Sequence, residues 1–350
     1  MDILKLSSSE ILRIKPDHPE KLFSGSESNI KRAYRKLSIQ WHPDKNTNNP
    51  DSSHVFAHLH ALYQEALRKL SNGTLGTHEN ALLIKDLSGK QFVFRYLKKR
   101  DFEMGDIFIA HNYVMWRFDI EYKDAVLSGL NNITKIKYAD SKMEKSFKPY
   151  MPEIVKVAEE KENVYVVLAK DKNMLSLADI HSHYNGRIDP RHTAWILSTL
   201  YNNVCFVHFN NLMHGGLTLD NYFINPETHE GMILGGWWYS KPENVKLQML
   251  SLEAIDVAPL KLINTKEAQL LLDLEMIKKM GRQLLGDATG MYLHKDTNIP
   301  EALVKWLRDG SKGTAVEQYS EWNKTVLPKS FGARSFTVMN VKSDDLYSEV

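Results

Sequence analysis

Residues 31–46 read Lys31-Arg32-Ala33-Tyr34-Arg35-Lys36-Leu37-Ser38-Ile39-Gln40-Trp41-His42-Pro43-Asp44-Lys45-Asn46. Together with Ile30, the residues Ala33, Leu37 and Trp41 fall at helical spacing and form an apolar stripe, with Tyr34 flanking it. Lys31, Arg32, Arg35 and Lys36 take another side of the same helix as a compact basic patch. Pro43 ends the helix, because a proline ring disfavours helical backbone at the residue before it. Upstream, a serine among Ser7, Ser8 and Ser9 caps a short helix through Glu10–Ile14, and Pro16 stops it. Downstream, a polar loop leads into a second amphipathic helix from about Ser53 to Leu70. Its stripe is Val55, Phe56, Leu59, Leu62, Tyr63, Ala66 and Leu67.

The rest of the 350-residue chain leaves room for two domains or three. Its net charge of +2 does not make the whole molecule a polyanion binder, so any basic feature is local. The single cysteine, Cys205, excludes a disulfide framework and fits a reducing cytosol; it reads as a small buried apolar side chain. No run of 18 apolar residues is present, so no membrane partner is expected, and Met1–Lys5 has no signal-peptide core. A cytoplasmic location follows as the expectation. His54 and His58 form an i, i+4 pair, but no carboxylate or thiol completes a metal set beside them.

Ala33-Tyr34-Arg35-Lys36-Leu37, then Trp41-His42-Pro43-Asp44-Lys45-Asn46, then Phe56, Ala61 and Tyr63 resemble the J-domain. The resemblance implies an all-α helical hairpin over residues 1–71. It implies as partner a DnaK-class heat-shock ATPase chaperone whose hydrolysis the domain stimulates. The residues implied to contact that chaperone are His42, Pro43, Asp44, Lys31, Arg32, Arg35, Lys36 and Lys45. Four cations on one helix suit an acidic surface, raising the on-rate and fixing orientation. A proline-stiffened tip loses little entropy on docking. Pro19 to Ser28 depart from the family as a partly inserted connection.

Ser71-Asn72-Gly73-Thr74 and Gly76 mark a linker at 72–80. Strand-like runs follow at Leu82–Ile84, Gln91–Tyr96, Ile107–Ala110, Tyr113–Phe118, Ile154–Val157 and Val164–Leu168. From about Leu175 the pattern turns helical, with Ala194, Leu197, Leu200 and Val204 at helical spacing. This is an α+β arrangement. Met213 to Ile224 resembles a protein-kinase catalytic loop, which reads HxD with an Asn five residues after the Asp. His214 and Asn221 stand in register, but Gly216 holds the place of the catalytic aspartate. The DFG aspartate falls at Gly235 or Gly236, and Arg117 in Val114-Met115-Trp116-Arg117 falls where the family has its phosphate-pairing lysine. Lys98 to Gly105 holds a single glycine, so no GxGxxG loop is found. Asp273 alone matches the buried DxWxxG helix. The resemblance implies a bilobal kinase-like domain, with a mostly β lobe at 81–174, a mostly α lobe at 175–338 and a flexible tail at 339–350.

Phosphoryl transfer depends on metal ions held by acids, and glycine at both acid positions removes them. The expectation is a pseudokinase that is no enzyme and has no cofactor, joined to a J-domain as a co-chaperone adaptor with a client that the sequence does not name. Two alternatives use the same cleft: a regulator binding ATP through Arg117 and Asn221, and an unconventional transferase in which Asp220 substitutes for the lost acid. Nucleic acid is not expected, because Lys98-Lys99-Arg100 and Lys135 to Lys148 have acids nearby and the total charge is low. Trp237-Trp238-Tyr239 reads as core rather than as an exposed aromatic platform. J-domain and degenerate kinase-like fusions look similar to proteins of large bacteriophages and some bacteria; if phage-encoded, the chain is expected in the host cytoplasm.

Overall fold

In the computed structural model the chain divides into two compact units, residues 1–98 and 99–350. The structure describes residues 3–24, 27–46, 49–71, 75, 80–333 and 335–347.

The first unit carries α1 (Ser8–Leu12), α2 (Glu27–Gln40) and α3 (Ser52–Ser71). A capping box starts α1: the Ser7 hydroxyl accepts the Glu10 N–H, and the Glu10 carboxylate accepts the Ser7 N–H at 2.8 Å. The facing stripes are as the spacing predicts. Ile30 and Leu37 of α2 and Val55, Leu59, Leu62 and Ala66 of α3 are fully buried against Ile11 and Phe23. Phe23 comes from the connection that reads as an insertion. A 3-10 turn at Pro19–Lys21 carries it inward, where it meets Tyr34 and Tyr63 edge-on. That part of the connection is core, not decoration.

A hairpin of β1 (Asn80–Lys85) and β2 (Gln91–Tyr96) follows. The Asp86 carboxylate closes its turn by accepting the N–H groups of Ser88 and Lys90, with Gly89 at φ +80°. The hairpin is a separate two-stranded sheet within the first unit, whereas the sequence pattern assigned it to the β lobe beginning at residue 81. Strand alternation identifies a strand but not the sheet it joins. Of the linker expected at 72–80, residues 72–74 and 76–79 lie outside the described residues.

The second unit is α+β. Its main sheet is ordered β3-β4-β5-β7-β6, from β3 (Lys98–Phe102), β4 (Gly105–Ile109), β5 (Tyr113–Asp119), β6 (Glu153–Glu159) and β7 (Asn163–Ala169). The pairs β4–β5, β5–β7 and β6–β7 are antiparallel. Between β5 and β6 come α4 (Lys123–Thr134) and α5 (Ser141–Phe147). The helical half holds β8 (Leu175–Ser176), α6 (Leu177–His183), α7 (Pro190–Phe209), β9 (Leu212–Met213), β10 (Tyr222–Asn225), β11 (Glu230–Ile233) and β12 (Lys241–Pro242). It continues through α8 (Leu252–Ile255), α9 (Leu260–Thr265), α10 (Leu271–Leu284), α11 (Glu301–Arg308), α12 (Ala315–Glu321), α13 (Leu327–Phe331) and α14 (Ser343–Tyr347).

Two apolar clusters hold this unit together. One surrounds α7 and α10; the other lies between the sheet, α4 and the β10–β11 hairpin. The turn Trp237-Trp238-Tyr239 joins them, with Trp237 in the first cluster and Trp238 and Tyr239 in the second. These aromatics are core, as their sequence suggests. The expected flexible tail is instead anchored over its described part: Met339 and Val341 are buried, and α14 follows. The polar residues around them concealed two apolar anchors. Among the described residues no helix is long and apolar enough to cross a membrane.

Gly129 lets α4 lie directly on the 237–239 turn. A Cβ there would stand 2.3 Å from the Trp237 carbonyl oxygen. Gly129→Ala is therefore expected to destabilise the second unit by roughly 1–3 kcal/mol, despite alanine's better helix propensity, because the clash is with backbone. Denaturant melts of wild type and variant measure this; equal midpoints would refute the close approach.

Candidate functional sites

The first candidate is the tip at the end of α2. A 3-10 turn at Pro43–Lys45 follows His42, which stays extended at φ −62°, ψ 128°. The Asp44 N–H donates to His42 Nδ1 at 3.2 Å, fixing that nitrogen as an acceptor. The Phe56 ring of α3 meets the imidazole edge-on with centroids 5.4 Å apart, so the histidine is held from both sides. Asn46 closes the loop by donating from Nδ2 to the carbonyls of Gln40 at 2.6 Å and His42 at 3.2 Å. Those contacts satisfy carbonyls at the helix end. The Asp44 carboxylate lies 3.7 Å from His42 Nδ1 and is 88% exposed, so a partner can reach it. Asn46 is visible in the sequence, but its capping role is not.

A groove of about 560 Å³ runs from this tip along α2, lined in part by Lys31, Arg35, His42, Asp44, Lys45 and Phe56. Helical spacing puts residues 31, 35 and 38 on one side, so Arg32 and Lys36 stand beside the groove rather than in it. Lys31 pairs with Glu27 at 2.5 Å, and Arg32 donates to the Asn29 side chain at 2.6 Å. Arg35, Lys36 and Lys45 are exposed and have no acidic partner among the described residues. Tyr34 and Tyr63 stack at 4.1 Å on the groove wall and tie α2 to α3. Two of the three histidines of α3 are used locally: His58 donates to the Ile14 carbonyl at 2.8 Å, and the His60 ring meets the Tyr34 hydroxyl at 3.0 Å.

The second candidate is the cleft of the second unit. Asp273, at the start of α10, is fully buried. Its carboxylate accepts the backbone N–H groups of His214 and Gly215, each at 2.8 Å, and His208 Nε2–H at 2.9 Å. The His214 ring is buried edge-on against Trp237 at 4.8 Å, and burial pulls its pKa down to about 4. It is therefore a neutral ring that accepts the Gly216 N–H. Asn221 donates to the Gly216 carbonyl at 3.0 Å, while its own carbonyl accepts from Leu234 and Gly235. The expected loop thus exists, and His214, Gly216, Asn221, Gly235 and Gly236 converge.

They are closely packed. A Cβ at Gly216 would lie 2.7 Å from the Gly236 carbonyl oxygen. One at Gly235 would lie 2.2 Å from Asn221 Oδ1 and 2.7 Å from the Trp116 ring. Met104 is 1% exposed, and its sulfur stands 3.2 Å from the Tyr239 hydroxyl, which also donates to Glu103. The space is filled by Trp116, Phe118 and Trp238, with Phe118 and Trp238 4.7 Å apart edge-on.

Arg117 does not stand in the cleft where the resemblance implies it. Val114, Trp116 and Phe118 face the cleft, so Arg117 points to the other face of β5. There it pairs with Asp106, its register partner on β4. Arg117 and Asn221 do not share a site. Asp220 is also engaged: Arg100 of β3 pairs with it and with Asp179 at 3.4 Å, which ties the sheet to the helical half. The sequence has acids near Lys98-Lys99-Arg100 but does not show that Arg100 meets the distant Asp179 and Asp220. Cys205 is half-buried with its thiol pushed up to about 11 by burial, so it stays protonated.

Residues 10–69 match the model of the DnaJ domain, and this segment is a J-domain. Similar curated proteins include DnaJ homolog subfamily C member 21 of Danio rerio, 34% identical over 82 residues, covering 23% of this chain and 14% of that protein. Chaperone protein dnaJ 15 of Arabidopsis thaliana is 41% identical over 66 residues, covering 18% and 16%. DnaJ-like protein R260 of Acanthamoeba polyphaga mimivirus is 58% identical over 33 residues, covering 9% and 8%. The chain thus spans well under a fifth of these relatives. Among solved structures, that of vaccinia related kinase 3 is similar at 13% identity and a TM-score of 0.49, covering 73% of this chain and 94% of that one.

Placing an acid in the cleft is expected to damage it. Gly235→Asp forces a carboxylate between Asn221 and Trp116, and should cost the second unit several kcal/mol, since a buried unpaired charge and a clash both oppose it. A fall in melting temperature without any gain of magnesium or ATP binding is the expected result. An unchanged melting temperature would mean the cleft can open.

Proposed function

We propose that this chain is a co-chaperone that recruits a DnaK-class ATPase chaperone through the His42-Pro43-Asp44 tip and stimulates its hydrolysis, while the second unit, a kinase-like domain without phosphoryl transfer, holds a client. The single observation that carries the reading is the braced tip beside an open cationic groove. His42 is fixed by the Asp44 N–H and Phe56, and Asp44 is exposed next to Arg35 and Lys45, which have no internal acid. A preorganised, charged and stiff tip suits fast docking on an acidic surface. The reading implies a cytoplasmic site of action, where such a chaperone works.

The pseudokinase part rests on the cleft's chemistry. Glycines stand where acids would hold metal, and aromatic side chains fill the volume between sheet and loop. The nucleotide-binding alternative loses Arg117 to the outer face of β5, and the transferase alternative loses Asp220 to Arg100. For the client role, Leu252, Ile255, Leu260 and Ile263 are all exposed within twelve residues, and such apolar side chains suit a protein partner.

With a purified DnaK-class chaperone, the full chain should raise steady-state ATP hydrolysis several-fold, and Asp44→Asn or His42→Gln should abolish the rise at unchanged melting temperature. Stimulation that survives both substitutions would refute the assignment of the tip. Separately, ATP with or without magnesium should leave the melting temperature of the chain unmoved. A site with a Kd one hundredth of the ATP concentration would stabilise it by about 2.7 kcal/mol, so a shift of that size would favour the nucleotide-binding alternative.

A further inference from the structure

The two basic runs of the sequence have different fates in the fold. In the first, Lys99 is paired with Asp101 and Asp106, and Arg100 with Asp179 and Asp220. In the second, residues 135–148, five lysines stand against two acids. Both acids are already engaged. Asp140 caps α5 by accepting the Met143 N–H at 2.7 Å, and Glu144 pairs with Lys148 at 2.7 Å. Lys135, Lys137, Lys142 and Lys145 are exposed and have no acidic partner among the described residues. The interleaving that made this run look neutral in the sequence does not neutralise it in the fold.

The segment is also rigidly mounted. Tyr138 and Phe147 both stack on Phe206 of α7, at 5.3 and 4.5 Å, and Asn210 accepts the Lys137 N–H at 2.7 Å. Lys142, Lys145 and Lys148 then follow at three-residue spacing along the outer side of α5 and the turn after it.

We propose that this lysine face is a sequence-independent binding surface for the phosphate backbone of a nucleic acid duplex. Lysine offers compact point charges and no planar fork, which suits phosphates rather than base edges. Both aromatic rings of the segment are turned inward onto Phe206, so the face offers no platform for unstacked bases, the feature that favours single strands. A duplex needs only the charge.

The test is fluorescence anisotropy of the full chain with a labelled mixed-sequence duplex of about 30 base pairs across a salt series. Four phosphate contacts give a slope of log K against log salt near −3.6, or about a 150-fold loss between 50 and 200 mM salt. Lys135, Lys137, Lys142 and Lys145 changed together to Gln should cut affinity at low salt at least tenfold with the melting temperature unchanged. Arg35→Gln with Lys36→Gln, on the J-domain helix, should change it less than twofold. No duplex binding at 50 mM salt overturns the proposal, and so does loss of binding from the J-domain pair instead of the α5 set. Polyglutamate bound more tightly than duplex would identify the face as a site for acidic protein segments, which also overturns it.

Discussion

Asp273 is the fixed point of the second unit. A carboxylate with no exposure is tolerable only because three donors converge on it: the N–H groups of His214 and Gly215, and the His208 ring. Those bonds orient the 214–221 loop against α10. The loop in turn presents the Gly216 carbonyl to Asn221, and Asn221 receives the chain as it leaves β11. Removing one partner from such a buried set costs about 3–5 kcal/mol, because the rest are left unpaired. Everything that meets in the cleft is keyed to that one side chain.

How much of this is legible in the sequence depends on how local the cause is. The J-domain is nearly all local. The stripe Ile30, Ala33, Leu37, Trp41, the proline stop and the second stripe through Leu59 and Leu62 each follow from spacing, and each is found in the fold. Phe23 is missed because a polar, proline-containing connection hides one aromatic that only the tertiary fold brings inward. In the second unit the strands from Ile107 to Leu168 are legible by alternation. The charged strand β3 is not, since Lys98-Lys99-Arg100-Asp101 has nothing apolar to alternate. Arg117 shows the limit more sharply. A resemblance slipped by one residue turns a side chain to the opposite face of a sheet, and here Trp116 rather than Arg117 looks into the cleft.

The two candidate sites handle charge in opposite ways. At the tip the carboxylate and several cations are left in water, where they cost little to keep and can be read by another molecule at long range. In the cleft, ionisable groups are either absent or spoken for. The Arg100 guanidinium takes Asp179 and Asp220, Asp273 takes the His208 ring, and the His214 imidazole is neutral. A polar network that is complete rigidifies; one that is open invites a ligand.

The glycines of these loops and the filling of the cleft belong together. A glycine at 216, 235 or 236 lacks the Cβ that would keep the two loops apart. With no Cβ, Gly216 and Gly236 approach until a side chain at either would overlap the other's backbone. Trp116, Phe118, Trp238 and Met104 then occupy what remains, and their packing excludes the water that a carboxylate would need. An acid placed at 235 would stand unpaired between the Asn221 side chain and the Trp116 ring. The closed form thus follows from the same three glycines.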